Sequence, residues 1–581
     1  MTGEFKNNER VDLKPVAFWQ LHKNPILLRY IRSRMRWSGL SAALILTLVI
    51  SVFTFVISYN AAVKFAQESS VDAYRAAFLP MFLIQVVIMM FLGTGSVTSG
   101  ISQEYEDGMV DYHRLTPMSP MAKIVGYLFG LPIREWFLFA VTSVFIGIIV
   151  DKGNVPMDAV WRVYSVFFLS ILLYHLMALV VVHSMKKKRV AGRVIQLLVL
   201  VLYFAFPLLS QFGLVFFEYL TVRPILKESM LEYIPEKAAL VKLLNVDGGS
   251  STVPFFDYQL KAWSFSIMLM SSLVISFLVM LCRRWKDITS HLMSKPFSLV
   301  FFGFFMLFLV GNTLPIAKEG EMSITKSIRE SREPFLLAKI EENSKSSVPK
   351  LAYEKRLKNF DMTMSFFEPL ERPFTQMMFG SVCFLLACMV VYIVTPRHEK
   401  YLLGLRRARN LKNKWVPIHW DEAPGLLATV CIITILSVAL YSFSTTLYSA
   451  PTMPVSVTKL IPFIPIVISY AAVAVLVFYV VYEAWDNKGL FFLVLFVWVL
   501  PIMVAMVMGL QTEHYPTLIW VSSVSPIAAY GFGMAEFDSL PCREAFFFSL
   551  GLQILIGGYA ARALFSKKMR GRKVMLENPV N

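Results

Sequence analysis

The residues with the most chemical content lie in one stretch, ISQEYEDGMVDYHRLTPMSPMAKIVGYLFG, residues 101–130. Glu104, Glu106, Asp107 and Asp111 crowd carboxylates together without the His or Cys spacing that a metal site needs. Such a surface must face water or a soluble partner. Gly108 interrupts the first half of the stretch. Leu115, Thr116, Pro117, Ser119 and Pro120 then form a corner whose prolines bracket the restart of the next helix, as proline does at a first turn. The stretch hangs between two apolar runs, 78–100 and 124–150. About 20 apolar residues cover a hydrocarbon core of roughly 30 Å, so each run can cross a bilayer as a helix. A compact, charged, turn-bounded corner between two spans predicts a docking element on which something soluble pushes.

Catalytic signatures are missing. There is no G-x-x-x-x-G-K-[ST] phosphate loop and no H-E-x-x-H, so the sequence predicts no enzyme, no metal and no cofactor of its own. The glycine run GTGSVTSG, 93–100, has no lysine and sits in an apolar run, where small residues let helices approach. Ionisable groups inside spans are costly and default to functional hypotheses. Arg134 and Glu135 are adjacent and point about 100° apart on a helix, so they need not pair; a re-entrant bend after Pro132 is the other placement. His175 is one-sided on the run 160–185, where a satisfied hydrogen bond outweighs a proton relay. These three are the candidate pathway residues. Gln196, Gln211 and Gln553 serve a pathway or helix-to-helix bonding equally well.

The corner needs a membrane framework, and the composition supplies one. Of 581 residues, 56% are hydrophobic and only 16% charged, against about 25% charged in soluble chains. Mean hydropathy is +0.59. The formal charge of +17 follows from Lys and Arg collected in inner loops, not from nucleic-acid binding. Cys282, Cys383, Cys388, Cys431 and Cys542 form neither a disulfide framework nor a zinc spacing. The polar N-terminus is no cleavable signal peptide, and the lack of an Asn-x-Ser/Thr acceptor agrees with a bacterial inner membrane.

The expected fold is an all-α polytopic membrane protein with about twelve transmembrane helices. They fall at 38–59, 78–100, 124–150, 160–185, 194–214, 262–282, 297–315, 376–395, 425–444, 460–482, 490–510 and 544–565. The basic clusters 29–36, 186–193, 283–286, 397–414 and 567–573 then share one side with both termini, which places the termini in the cytoplasm. Residues 1–37 are a basic amphipathic segment. Ile26, Leu27, Tyr30 and Ile31 oppose Arg29, Arg32, Arg34 and Arg36, as in an interfacial helix on the inner leaflet. LLVLVLYFAFPLLSQFG around Pro207 is similar to FLVLFVWVLPIMVAMVMG around Pro501. That likeness predicts a six-plus-six pseudo-repeat, 38–296 and 297–566. The second half carries a hydrophilic helical extracytoplasmic insert, 316–373, and a basic cytoplasmic tail, 567–581, closes the chain.

NPILLRYIRSRMR before the first span, EYEDGMVDYHRLTPMSP at the second inner turn and KIVGYLFG opening the third span together resemble the permease subunits of type-2 ABC exporters. The resemblance covers roughly the first quarter of the chain, and the repeat suggests a fused, double-length form. In that family the amphipathic helix and the loop touch the ATP-binding subunit. The resemblance therefore implies that 102–121 couples to a separate ABC ATP-binding subunit, a dimer, which binds the ATP and Mg2+. Glu104, Glu106 and Gly108 fall on the family's E-x-E-x-G turn, and Leu115, Thr116, Pro117, Ser119 and Pro120 on its L-T-P-x-S-P corner. Gly126 and Gly130 match the small residues with which the third span packs. The second-half loop, 397–415, departs from the pattern, being basic and lacking the acidic-glycine turn. The alternatives are an ion-gradient-driven secondary transporter, which lacks here a G-x-x-x-D-R-x-G-R loop and deep acids, and a non-transporting scaffold that recruits a partner through the insert. Nothing in the sequence selects a substrate among lipids, glycans, peptides and drugs.

Overall fold

A hydrocarbon environment leaves backbone N–H and C=O groups no solvent, so a chain of this composition must pair them within helices. The computed structural model describes residues 17–64, 67–184, 194–201, 215–229, 233, 252–287, 290–319, 347–412, 416–418, 420–449, 461–509, 515–535 and 541–577. Among these, ten helices are long and apolar enough to cross a membrane. The protein is an all-α, multi-pass membrane protein. One sheet is present among the described residues, the hairpin Thr252–Phe255 with Tyr258–Lys261. The Gly311 carbonyl accepts the hairpin's Phe256 N–H at 2.7 Å. The chain divides into two compact units: Met1–Ala205 with Glu218–Thr252 and Lys261–Leu292, and Phe206–Phe217 with Val253–Leu260 and Met293–Asn581.

The first unit contains α1 (Pro25–Arg34), α2 (Trp37–Lys64), α3 (Ser70–Glu106), α4 (Met109–Leu115), α5 (Pro120–Gly130), α6 (Ile133–Lys152), α7 (Met157–Ser184) and α8 (Ala262–Lys286). The expected third span, 124–150, is not one helix. Pro132 has no N–H to continue the ladder and restricts Leu131 before it, so α5 ends at Gly130 and α6 begins at Ile133. With 11 residues α5 is too short to cross, whereas the 20 residues of α6 suffice. The interruption falls at Leu131 and Pro132. α3 carries a π-helical segment, Val87–Gly93, beside which α7 packs.

The second unit contains α9 (Lys295–Glu319), α10 (Ser347–Val394), α11 (His398–Asn410), α12 (Leu426–Ser449), α13 (Ile461–Gly509), α14 (Tyr515–Ser523), α15 (Pro526–Phe532) and α16 (Cys542–Glu577). The eighth span does not begin at its own boundary: α10 runs unbroken through 48 residues, of which Arg372–Val394 have the span character. At 1.5 Å per residue that is about 72 Å, so the rest of α10 extends well past the hydrocarbon. α13 bends at Asp486, whose φ 56° and ψ −151° are non-helical. The Lys295 ammonium donates to the carbonyls of Ile418, Trp420 and Ala423 at 3.3, 2.8 and 2.8 Å. The expected basic turn 186–193, much of the fifth span (202–214), Gln211 and insert residues 320–346 lie outside the described residues.

Candidate functional site

The corner 101–130 is a pair of short helices fixed at every end by local chemistry. Asp107 closes α3, and Gly108 turns the chain at φ 70°, a conformation glycine enters without a Cβ clash. α4 then stops at Thr116, whose hydroxyl donates to the His113 carbonyl at 2.7 Å. Lys123 reaches back from α5 to the next open carbonyl, Arg114 O, at 3.0 Å. Ser119 caps α5 by accepting from Ala122 N–H at 3.1 Å, with Pro120 in the first turn as expected. Few backbone groups are left for a flexible loop to exploit.

One carboxylate holds this corner to α1. Glu104 is only 4% exposed. Its Oε1 accepts from the Tyr30 hydroxyl and, at 3.0 Å, from Arg29 Nη1; its Oε2 accepts from the Tyr127 hydroxyl at 2.5 Å. A buried charge is tolerable when paired and fully hydrogen-bonded. The expectation that Glu104 presents an acidic surface is therefore corrected: it is the internal anchor, because α1 and α5 cover it. The Tyr30 hydroxyl is pushed well above its ordinary pKa by burial and by the neighbouring Glu104 charge. Arg29 also donates to His113 Nε2 at 3.3 Å, which a neutral imidazole can accept. Burial holds the His113 pKa below 6.5, consistent with that role. Lys123 is likewise lowered, by burial and then by Arg114.

α1 is not laid on lipid by its apolar face, as its amphipathic pattern predicted. Ile26, Leu27 and Tyr30 are buried against α5 instead. Asn24 caps α1 by accepting from Ile26 and Leu27 N–H at 3.1 and 3.3 Å, while its own amide donates to Ala122 O at 2.7 Å. Gly126 and Gly130 are the seat for this helix: a Cβ on Gly126 would stand 2.9 Å from Asn24 Oδ1, and one on Gly130 would stand 3.0 Å from Tyr30 Cδ2. The small residues serve α1 rather than another span. Arg29, Arg32 and Arg36 remain exposed and Arg34 half-buried, with its guanidinium 5.7 Å from the Tyr30 ring. Trp285, at the end of α8, backs the corner. Its ring stacks on Tyr127 at 5.6 Å, with Arg114 and Lys123 over it at 5.7 and 5.8 Å.

With Glu104 inside, the exposed face is made of Glu106, Asp107, Gly108, Asp111, Tyr112, Leu115 and Pro117. Tyr112 is 62% and Leu115 85% exposed. An acidic rim around two bare apolar side chains is a composition suited to a protein contact. Comparisons with protein-family models, with curated proteins and with solved structures return no match. What the corner can do therefore rests on its own geometry, in which one face is anchored and the other is presented.

The in-span candidates make internal bonds. Arg134 Nη2 and Glu135 Oε1 are 2.9 Å apart, a pair that the 100° argument did not require; Arg134's length lets it wrap back at the start of α6. Glu135 is fully buried and accepts from Ser96 of α3 at 2.7 Å. His175 Nε2 meets Met89 O at 3.1 Å, joining α7 to the π-helical segment of α3. A Cβ on Gly93 would come within 3.0 Å of that imidazole, and one on Gly100 within 2.2 Å of Leu131, so the glycine run is a packing face. Sequence reasoning missed Asn24, Tyr127, His113 and Trp285, and gave Tyr30 only a place on the apolar face of α1. The Asn24–Pro25 pair was a readable cap signal; the aromatic residues gave none.

The second corner has the opposite character. α11 buries Gly404 and Ala408 and exposes Leu403, Arg406, Arg407, Arg409 and Leu411. Arg407 lies 4.7 Å over Trp420 and 3.8 Å from Glu422.

Proposed function

We propose that this chain is the membrane-spanning permease subunit of an ATP-driven ABC exporter, coupled through 102–121 to a separate ATP-binding subunit that binds ATP and Mg2+. The observation that carries the reading is a presented face on an anchored base. Tyr112, Leu115, Asp107 and Asp111 are exposed on a corner that α1, α5 and Trp285 hold from behind. A push on such a corner displaces helices, whereas a flexible loop would absorb it. Its acids fit a basic partner surface and favour register and encounter more than raw affinity.

The same proposal has about twelve crossings in two sixes, both termini in the cytoplasm of a bacterial cell. α13 spans 49 residues, about 74 Å of helix and more than two hydrocarbon thicknesses, so its two arms about Asp486 count as two crossings. The run 194–214 is a further one. A shared anchoring supports the repeat. In one half Asn24, before the first span, donates to Ala122 O; in the other Lys295, at the start of the corresponding span, donates to Ala423 O. Each acceptor lies just after the corner that precedes the third span of its half.

The test is Tyr112→Ala with Leu115→Glu in the intact chain. Both side chains are exposed, so the melting temperature in detergent should stay within a degree or two, roughly the range of a neutral surface change. An ATP-binding protein that co-purifies with the native chain should be lost. Undiminished co-purification would remove the docking role. Transport that survives ATP depletion but collapses with an uncoupler would instead make the chain a secondary transporter.

A further inference from the structure

The inner turn of α13 builds a second site that the docking corner does not use. Between α11, the bend at Asp486 and α16 lies a cavity of about 500 Å³ lined by His398, Leu402, Trp485, Ala563, Lys567 and Arg570, among others. Gly571 keeps it open: a Cβ there would sit 3.1 Å from Leu402 Cδ2 and 3.5 Å from His398 Cε1. The acids of the bend are already engaged. Lys568 pairs with Glu483 at 2.7 Å, and Lys567 stands 3.5 Å from Asp486 while donating to Ala484 O at 2.8 Å. Among the described residues no carboxylate lines the cavity itself. The walls are therefore mostly apolar, with Lys567 and an exposed arginine at residue 570 as their cations.

Its surroundings give its depth. Trp485 lies 5.7 Å from Tyr559 of α16, both at least partly exposed, and such aromatics mark the headgroup level of a membrane. Leu555, Tyr559 and Phe565 continue the exposed apolar face of α16 alongside. We infer that this cavity binds the phosphate headgroup of an anionic phospholipid, whose acyl chains lie along the exposed face of α16. A basic recess between membrane helices at a basic bundle end is the setting in which anionic headgroups are held. A free phosphate would gain the same charges but nothing from the adjoining lipid-facing helix. The proposal needs only a membrane protein and is independent of the ABC reading.

The groups around His398 make binding pH-dependent. Burial, then Lys567, lowers its pKa; Lys568 adds to the lowering, while Asp486 and Glu483 oppose it. An arriving phosphate offsets the lysine charges, so binding takes up a proton and strengthens as pH falls.

The experiment uses the full chain in mild detergent with equimolar phosphatidylglycerol and phosphatidylcholine, reading retained lipid by native mass spectrometry. Phosphatidylglycerol should be retained about fivefold over phosphatidylcholine, more at about pH 6 than at about pH 8. Arg570→Gln should abolish the preference by removing charge, and Gly571→Leu should abolish it by filling the space. Melting in lipid-free detergent checks that each variant is folded, and the exposed Arg570 position decides if Gly571→Leu is not. Equal retention of the two lipids, an unchanged preference in folded Arg570→Gln, or stabilisation by inorganic phosphate matching that by phosphatidylglycerol would overturn the assignment.

Discussion

Glu104 is stable as a buried carboxylate only while its donors stay in place. Tyr30→Phe or Tyr127→Phe removes one hydroxyl and leaves the charge under-satisfied, at a cost of about 1–3 kcal/mol each. The pair should be non-additive in a double-mutant cycle, because both hydroxyls serve one carboxylate. Glu104→Lys buries a cation beside Arg29 and should abolish folding of the corner, read as lost melting transition. It is therefore no test of docking, which belongs to Tyr112 and Leu115. His113 adds a pH dependence with a definite sign. Its folded pKa lies below the ordinary 6.5 because burial disfavours the imidazolium. Above 6.5 both states are neutral and nothing changes; as pH falls through 6.5 the unfolded chain binds more protons and stability drops. Protection factors of α1 amides, with exchange rates corrected for their intrinsic pH dependence, should fall from about pH 7.5 to about pH 5.5, and His113→Asn should flatten that slope. The acids of this site were visible in the sequence, but the burial of Glu104 was not. Arg29 and Tyr30 lie 75 and 74 positions from it, a distance across which local patterning carries no information.

At the scale of elements, the corner was legible where its signals are local. Ser119–Pro120 starts a helix and Gly108 ends one, and both act through neighbouring backbone. The α1–α5 contact was not, since the same amphipathic pattern suits a lipid surface or a protein groove, and only the glycines opposite decide between them. Gly126 makes this testable. Gly126→Leu places a Cβ 2.9 Å from Asn24 Oδ1 and 3.0 Å from Ile26 Cβ, and neither a buried cap nor a helix backbone can yield cheaply. α1 should be expelled from α5 while the spans, which hold their own backbone bonds, stay inserted. Limited trypsin treatment should then cut at Arg29 and Arg32 at least about tenfold faster, as expected when a loss of more than about 1.4 kcal/mol opens the site. Unchanged cleavage would mean that α1 does not depend on that seat.

At the scale of the molecule, length and apolarity mark ten helices among the described residues as able to cross, because a bilayer imposes one thickness on all crossings. Composition was blind to the break at Pro132, which divides one run into a short helix and a span and depends on a single residue's backbone. The polar gap between the runs 460–482 and 490–510 had marked the place where Asp486 bends α13. The orientation rests on the basic clusters alone, and it fixes which face the anchored corner presents. Single cysteines at Asp107, Arg406 and Arg570 should react with an impermeant maleimide only after the membrane is opened. One at Lys358, exposed on the part of α10 beyond its span, should react in intact cells. The native thiols interfere little, since Cys383, Cys388 and Cys542 are buried and Cys282 and Cys431 half-buried. Labelling of Asp107→Cys from outside would put the acidic corner on the face where no ATP is available, and a motor acting there would have no fuel. Labelling of Arg406→Cys from the side opposite to Asp107→Cys would break the repeat instead, because two sixes in parallel must present their corners together.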